Sequence, residues 1–158
     1  MAARGMRAKI SLKSPGQIVG YRLVTKGIEE MADYAENMAR ETLGIKDEEY
    51  SSHQDILEGL FEFNELIQNI SDKTMKARLI GDIKLANNVI ETARLANETE
   101  RELVKKILEE VSNINVAVAL KSIAWSLRQI ARMCDVITEI TVNTILGTSS
   151  EICRLERL

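Results

Sequence analysis

Three side chains that carry oxygen recur at helical spacing early in the chain. Glu29, Asp33 and Asn37 stand at i, i+4 and i+8, so on a helix they lie along one face. Two carboxylates at this spacing repel each other unless a cation, an arginine or a partner offsets their charge. Carboxylate oxygens suit hard cations such as Mg²⁺, Ca²⁺ or Mn²⁺, and also iron. The pattern predicts either a metal site or a solvated acidic face.

A second pair of carboxylates lies nearer the C-terminus. Asp135 and Glu139 are again four residues apart, so they too share a helix face. They could bind a cation, or they could pair with Arg132, Arg128 or a basic side chain of a neighbouring helix. The sequence leaves both interpretations open.

Other residues that carry chemistry are too sparse to build an active site. His53 is the only histidine, and the paired Glu-x-x-His motifs that hold two irons inside helical bundles are absent. A single histidine also disfavours a histidine general base or an activated nucleophile. Neither Gly-x-x-x-x-Gly-Lys-Ser/Thr nor Gly-x-Gly-x-x-Gly occurs, so the loops that cradle nucleotide phosphates are missing. We therefore expect a protein that is not an enzyme and that needs no cofactor beyond a metal.

The composition favours long helices over sheets. Of 158 residues, 45% are apolar and 28% charged, with one proline and 4% aromatic residues, as in a soluble globular protein. The net charge is −3, and basic residues concentrate in residues 1–13, which argues against a nucleic-acid-binding module. No run of 18 uncharged apolar residues is available for membrane insertion. Residues 1–13 also lack the apolar core of a signal peptide.

The two cysteines, Cys134 and Cys153, do not make a disulfide framework. Cys134 falls on an apolar helix face, so we expect a buried thiol in a reducing compartment. These features together predict a cytoplasmic protein.

Capping signals divide the chain into four long helices. Ser14 followed by Pro15 predicts a first helix over residues 15–43, and Asp47 and Asp82 are predicted to cap the second and third helices. The fourth helix is predicted over residues 114–146. It should end at Gly147, because a glycine commonly terminates a helix.

Connections this short favour antiparallel neighbours. We therefore expect an all-α fold, an elongated antiparallel bundle of about four long helices over residues 14–147. A basic N-terminal segment at residues 1–13 and a C-terminal tail at residues 148–158 are expected to flank it.

Apolar residues at alternating spacings of three and four mark the face that each helix should bury. In chain order, the four predicted faces are Tyr21, Val24, Ile28, Met31, Ala35 and Met38; Ile56, Leu60, Phe63, Ile67, Ile70, Thr74 and Ala77; Ile83, Ala86, Ile90, Ala93, Val104, Ile107 and Val111; and Val116, Leu120, Ile123, Leu127, Ile130, Cys134 and Ile137.

Residues 28–39, Ile-Glu-Glu-Met-Ala-Asp-Tyr-Ala-Glu-Asn-Met-Ala, resemble a segment of the PhoU family of phosphate-uptake regulators. The family form is Leu-Glu-Arg-Ile-Gly/Ala-Asp-His-Ala-x-Asn-Ile-Ala-Glu. The chain keeps the glutamate, aspartate and asparagine, but it has Glu30 and Tyr34 in place of the arginine and histidine. The resemblance implies that Glu29 and Asp33 help to hold metal ions on the bundle surface.

Two further segments extend the resemblance to roughly residues 20–143. Residues 82–91 are similar to Asp-x-x-Leu-Ala-x-x-Val-Ile-Glu, which opens the middle helix of a family repeat. Residues 129–135 are similar to Tyr-Leu-Glu-Arg-Ile-Gly-Asp in the closing helix. Full family members carry two three-helix repeats, so this chain resembles the last helix of one repeat followed by a complete second repeat.

The second copy of the acidic motif departs from the family pattern. Asp135 is kept, but Ala131 takes the place of the glutamate and Glu139 that of the asparagine. On the third helix, the aspartates of the family fall at Ala93 and Asn97. The resemblance therefore implies fewer metal ligands in the second repeat, with Asp135 and Glu139 as the remaining carboxylates.

The resemblance implies a regulator of phosphate uptake and phosphate signalling. Its expected partners are a phosphate ABC transporter or a sensor kinase. A chain without the first two helices of the family should expose part of the first helix's apolar flank, such as Leu23, Val24 and Met38. An exposed apolar patch of this kind predicts a homodimer. The alternative is a structural or oligomeric helical adaptor with no link to phosphate.

Overall fold

The computed structural model describes residues 15–46, 48–49 and 52–155. It contains four long helices and, among the described residues, no strand, so the predicted all-α helical bundle is confirmed. The predicted basic segment at residues 1–13 lies outside the described residues. The helices are α1 (Pro15–Gly44), α2 (Gln54–Ile80), α3 (Ile83–Glu110) and α4 (Ile114–Leu155).

The turn between α2 and α3 forms as predicted. Gly81 adopts a left-handed conformation with φ of 70°, which costs glycine nothing because it has no Cβ. Its backbone N–H donates to the carbonyl of Ala77 at 2.9 Å. The Asp82 side chain then accepts a hydrogen bond of 3.0 Å from the backbone N–H of Leu85, which caps the first turn of α3.

The start of α2 differs from the prediction. The helix begins at Gln54 with His53 as its N-cap residue, whereas Asp47, the predicted cap, lies outside the described residues. Glu49 contributes to the bundle in another way. Its carboxylate accepts a hydrogen bond of 2.7 Å from Asn113 Nδ2 and ties this connection to the turn before α4.

The predicted end of the last helix at Gly147 is wrong, because α4 continues to Leu155. A glycine ends a helix when it takes a positive φ, and among the described residues only Gly81 does so. Glycine inside a helix costs only about 1 kcal/mol relative to alanine. Residues 148–155 of the predicted tail are therefore helical.

The bundle is a three-helix unit with a fourth helix at its side. α2, α3 and α4 pack against one another, whereas α1 packs extensively on α4 alone. Gly27 lies beside Ile137, and Tyr34 contacts Trp125, so α1 and α4 are antiparallel. The assignment of these helices to repeats of the PhoU family stays a prediction.

The predicted buried faces are confirmed for two helices. Every residue predicted on α2 is buried, as are all those predicted on α4 except the half-buried Ile123. On α3 the prediction is confirmed in part, because Ala86, Ile107 and Val111 are buried. Ile83, Ile90, Ala93 and Val104 are only half-buried, whereas Val89, Ala96 and Leu103, which were not predicted, are buried.

The predicted face of α1 is confirmed only in part. Of its six residues only Val24 is buried, and Tyr21, Ile28 and Ala35 are exposed. The face that meets α4 instead includes Gly27 and Tyr34 beside Val24 and the half-buried methionines. Gly27 was missed because a glycine adds nothing to an apolar pattern, yet its missing side chain lets α1 approach α4 closely.

Candidate functional site

The acidic motif of α1 is split between two surroundings. Asn37 lies at the contact with α4, where its Nδ2 donates to Ser122 Oγ at 3.1 Å and to Ser126 Oγ at 3.0 Å. Glu29 and Asp33 are exposed. Asn37 therefore helps to dock α1 on α4, and its amide nitrogen is committed to the two serines.

The cation that offsets the acidic face is a lysine of the same helix. Lys26 Nζ lies 3.0 Å from Glu30 Oε1, one helical turn away. The hydrogen bond to Glu30 and its charge, with smaller contributions from Glu29 and Asp33, raise the pKa of Lys26 above its ordinary value. The acidic face thus has a local counter-charge.

The described residues of α1 do not fit a metal cluster by themselves. Nowhere in the described ranges do three or more His, Cys, Asp or Glu side chains come together as ligands for an ion. Two exposed carboxylates would need further ligands from outside these ranges or from a second molecule. Metal binding by Glu29, Asp33 and Asn37 stays a prediction.

The second copy of the motif lines a cavity of about 350 Å³ between α3 and α4. Ala93 and Asn97 face this cavity from α3, and Asp135 and Glu139 face it from α4. The structure thus brings together the four positions that the resemblance connects. The cavity is also lined by Ile90, Arg94, Arg128, Ala131 and Arg132, of which only Arg94 has no role in the sequence analysis.

The ion pairs predicted for Asp135 and Glu139 do not form in the described structure. Arg128 pairs instead with Glu100 of α3, with Nε 3.0 Å from Oε2. Asp135 Oδ1 is shielded from solvent and has no hydrogen-bond partner. Leaving a buried acceptor unpaired costs about 1–3 kcal/mol, so the unpaired oxygen makes this cavity the most unusual polar environment described.

Arg128 is fixed by a chain of contacts that reaches α1. With its amide oxygen turned toward the donors, Gln129 accepts from Arg128 Nη2 at 2.7 Å and from Trp125 Nε1 at 3.2 Å. The Trp125 ring meets the Tyr34 ring edge-on, with centroids 5.5 Å apart. The wall of the cavity is therefore connected to the helix that carries the first acidic motif. One residue of the sequence indicates this connection, because Tyr34 stands where the motif of the PhoU family has a histidine.

Cys134 is buried in the core, as predicted, next to Asp135 of the cavity wall. Its side chain is fully buried, and its Sγ lies 3.4 Å from Ser71 Oγ of α2. Burial raises the pKa of the thiol, so the sulfur stays protonated and packs as a small apolar group.

The outward surface of α1 is the other candidate site. Leu23 is 49% exposed, which confirms its predicted exposure, whereas Val24 is only 7% exposed and Met38 is half-buried. A cavity of about 640 Å³ follows this surface. The exposed apolar side chains in the first half of the helix are Ile18, Val19, Tyr21, Leu23 and Ile28.

No helix within the described ranges has both the length and the apolar character needed to cross a bilayer. Comparison of the chain with protein-family models, curated proteins and solved structures gives no match.

Proposed function

We propose that this chain is a PhoU-like cytoplasmic regulator of phosphate uptake and phosphate signalling that acts by binding proteins. The proposed partners are a phosphate ABC transporter, a sensor kinase and a second copy of the chain. The observation that carries the proposal is the position of α1, a single helix beside a three-helix unit. This division corresponds to the repeat boundary implied by the motif at residues 28–39.

The exposed side chains of α1 supply the means of binding. α1 packs mainly on α4, with Arg78 of α2 placed over the Tyr21 ring at 4.8 Å, and its first half leaves several large apolar side chains exposed. Apolar patches on otherwise polar surfaces commonly mark protein interfaces. Arg22, Lys26 and Glu29 line the same surface, so a partner would meet apolar and charged groups together.

The experiment is complementation of a strain that lacks the protein, with phosphate uptake measured in high and low phosphate. The wild-type chain should restore phosphate-dependent control, whereas Leu23→Asp should fail because it places a charge on the proposed interface. Leu108→Asp is the matched control, since Leu108 is 65% exposed on α3, away from this surface.

Purified protein would then be titrated against the cytoplasmic parts of the transporter and the kinase. Saturable binding that Leu23→Asp weakens and Leu108→Asp does not would support the proposal. If deletion of the chain leaves phosphate uptake unchanged, the regulator proposal fails and the alternative helical adaptor is favoured.

A further inference from the structure

Four charged side chains line the cavity between α3 and α4 without a protein partner. Arg94, Arg132, Asp135 and Glu139 all face it, and none of them forms an ion pair or hydrogen bond within the described ranges. Arg128 is neutralised by Glu100. The unpaired charges are therefore two guanidinium groups and two carboxylates around one space.

A ligand that carries only positive or only negative charge does not complement these four side chains. A divalent cation would be attracted by the carboxylates but would face two arginines, which repel it. A fully ionised anion would pair with the arginines but would face Asp135 and Glu139. A molecule that carries an oxyanion and an ammonium group satisfies both kinds of side chain.

The helix geometry brings the two kinds of charge close together. Arg132 and Asp135 are one turn apart on α4, a rise of about 4.5 Å. In the antiparallel register set by the Glu100–Arg128 pair, Arg94 of α3 lies level with the turn that carries Asp135. A guanidinium from each helix and a carboxylate thus lie around one space, which suits a ligand whose two opposite charges are separated by a single carbon atom.

Part of the remaining lining of the cavity is apolar. Ile90, Ala93 and Ala131 face the same space as Asn97 and Arg128 and offer hydrocarbon rather than hydrogen-bonding groups. The volume of about 350 Å³ lies at the small end of ligand pockets. A compact ligand with a short hydrocarbon group would use this wall.

We propose that the cavity between α3 and α4 binds an α-amino acid with an apolar side chain. Arg132 and Arg94 bind its carboxylate, since guanidinium groups donate paired hydrogen bonds to planar oxyanions. Asp135 and Glu139 accept from its ammonium group, and its side chain packs on Ile90. This inference rests on the cavity alone and is independent of the proposed function.

Calorimetric titration of the full chain with L-leucine tests the proposal. Two analogues separate the charges: 4-methylpentanoic acid lacks the ammonium group, and 3-methylbutylamine lacks the carboxylate. We expect saturable binding of leucine and at least about tenfold weaker binding of each analogue, because each loses charge-assisted hydrogen bonds.

Substitutions locate the binding in this cavity. Arg132→Gln and Asp135→Asn should each weaken leucine binding about tenfold or more. Arg101→Gln and Asp72→Asn are the matched controls, because both residues are exposed and neither lines the cavity. Circular dichroism and thermal melts of each variant would show that it is folded.

Several results would overturn the proposal. They are the absence of saturable heat with leucine up to about 10 mM, equal binding of leucine and either analogue, and loss of binding in the controls as well. Binding of Mn²⁺ or inorganic phosphate, but not of leucine, that Asp135→Asn or Arg132→Gln abolishes would also refute it.

Discussion

Two ion pairs on α1 join side chains of the same helix. Lys26 pairs with Glu30 at 3.0 Å, and Arg40 pairs with Glu36 at 2.6 Å, in both cases across one helical turn. Exposed pairs of this kind contribute little stability, because water screens the attraction between their charges. They do, however, reduce the repulsion that the acidic sequence alone suggested, so a metal ion is not needed to keep α1 folded.

Metal binding at Glu29 and Asp33 remains testable as a gain in stability. An ion that binds only the folded chain stabilises it by about 2.7 kcal/mol at a hundredfold excess over Kd. Thermal melts should therefore shift upward with Mg²⁺, Mn²⁺, Fe²⁺ or Zn²⁺, and Asp33→Asn should remove the shift.

Asp72→Asn provides the control for that measurement, because Asp72 is an exposed aspartate on α2. It should retain any metal-induced shift. If melting is insensitive to every ion, and Asp33→Asn leaves stability unchanged or higher, the motif on α1 is a solvated acidic face.

At the scale of the element, α1 depends on close approach to α4. A Cβ on Gly27 would lie 3.3 Å from Ile137 Cδ1, so a larger side chain must push the helices apart. Gly27→Leu should destabilise the α1–α4 contact by about 1–3 kcal/mol, the usual cost of overpacking. Urea unfolding followed by the fluorescence of Trp125 measures this, because Tyr34 of α1 contacts that ring.

Gly44→Leu is the control on the same helix. A Cβ at Gly44 would meet no atom within 4 Å, so this change should be tolerated. If Gly27→Leu unfolds at the wild-type urea concentration with an unchanged Trp125 signal, the close packing at Gly27 is wrong.

The helices differ in how far the sequence predicts their buried faces. α2 packs on α3 and α4, and α4 packs on all three other helices. Both therefore carry a wide apolar stripe, which the periodicity of the sequence reveals. α1 packs mainly on α4, and this contact includes Gly27 and the polar Asn37, which a count of apolar residues omits. On α3 the polar stretch around Asn97 leaves the register of the stripe ambiguous, and packing decides in favour of Val89 and Ala96.

The candidate site was predictable only in part for a similar reason. Spacing along one helix identifies Asp135 and Glu139 as neighbours. It does not show which side chains of α3 stand opposite, because this depends on the register between two helices. That register places Arg94 at the cavity, and it places Glu100 next to Arg128, with which it forms an ion pair.

At the scale of the whole molecule, the two candidate sites are physically connected. Contacts run from Tyr34 through Trp125 and Gln129 to Arg128 at the edge of the α3–α4 cavity. A partner that shifts α1 would act on this chain of contacts. Coupling through such a network requires that both sites bias the same element.

The final prediction is that the outer surface of α1 pairs with the same surface of a second copy. A two-fold interface must be complementary to itself, and α1 meets this condition. In an antiparallel pair centred between Thr25 and Lys26, Arg22 lies opposite Glu29 of the second copy, because the two positions share one face of the helix. Basic residues thus face acidic ones, and Ile18, Val19 and Leu23 line the same surface.

Light scattering at micromolar concentration should therefore give the mass of a dimer. Leu23→Asp should weaken the dimer, because Leu23 lines this surface and the change places a charge on it. Arg22→Glu should also weaken the dimer by placing like charges together, and Glu29→Arg in the same chain should restore it by exchanging the signs. Leu108→Asp on α3 should remain dimeric. A wild-type chain that is monomeric at these concentrations, or a double variant that fails to recover, would show that α1 does not pair with itself in this register.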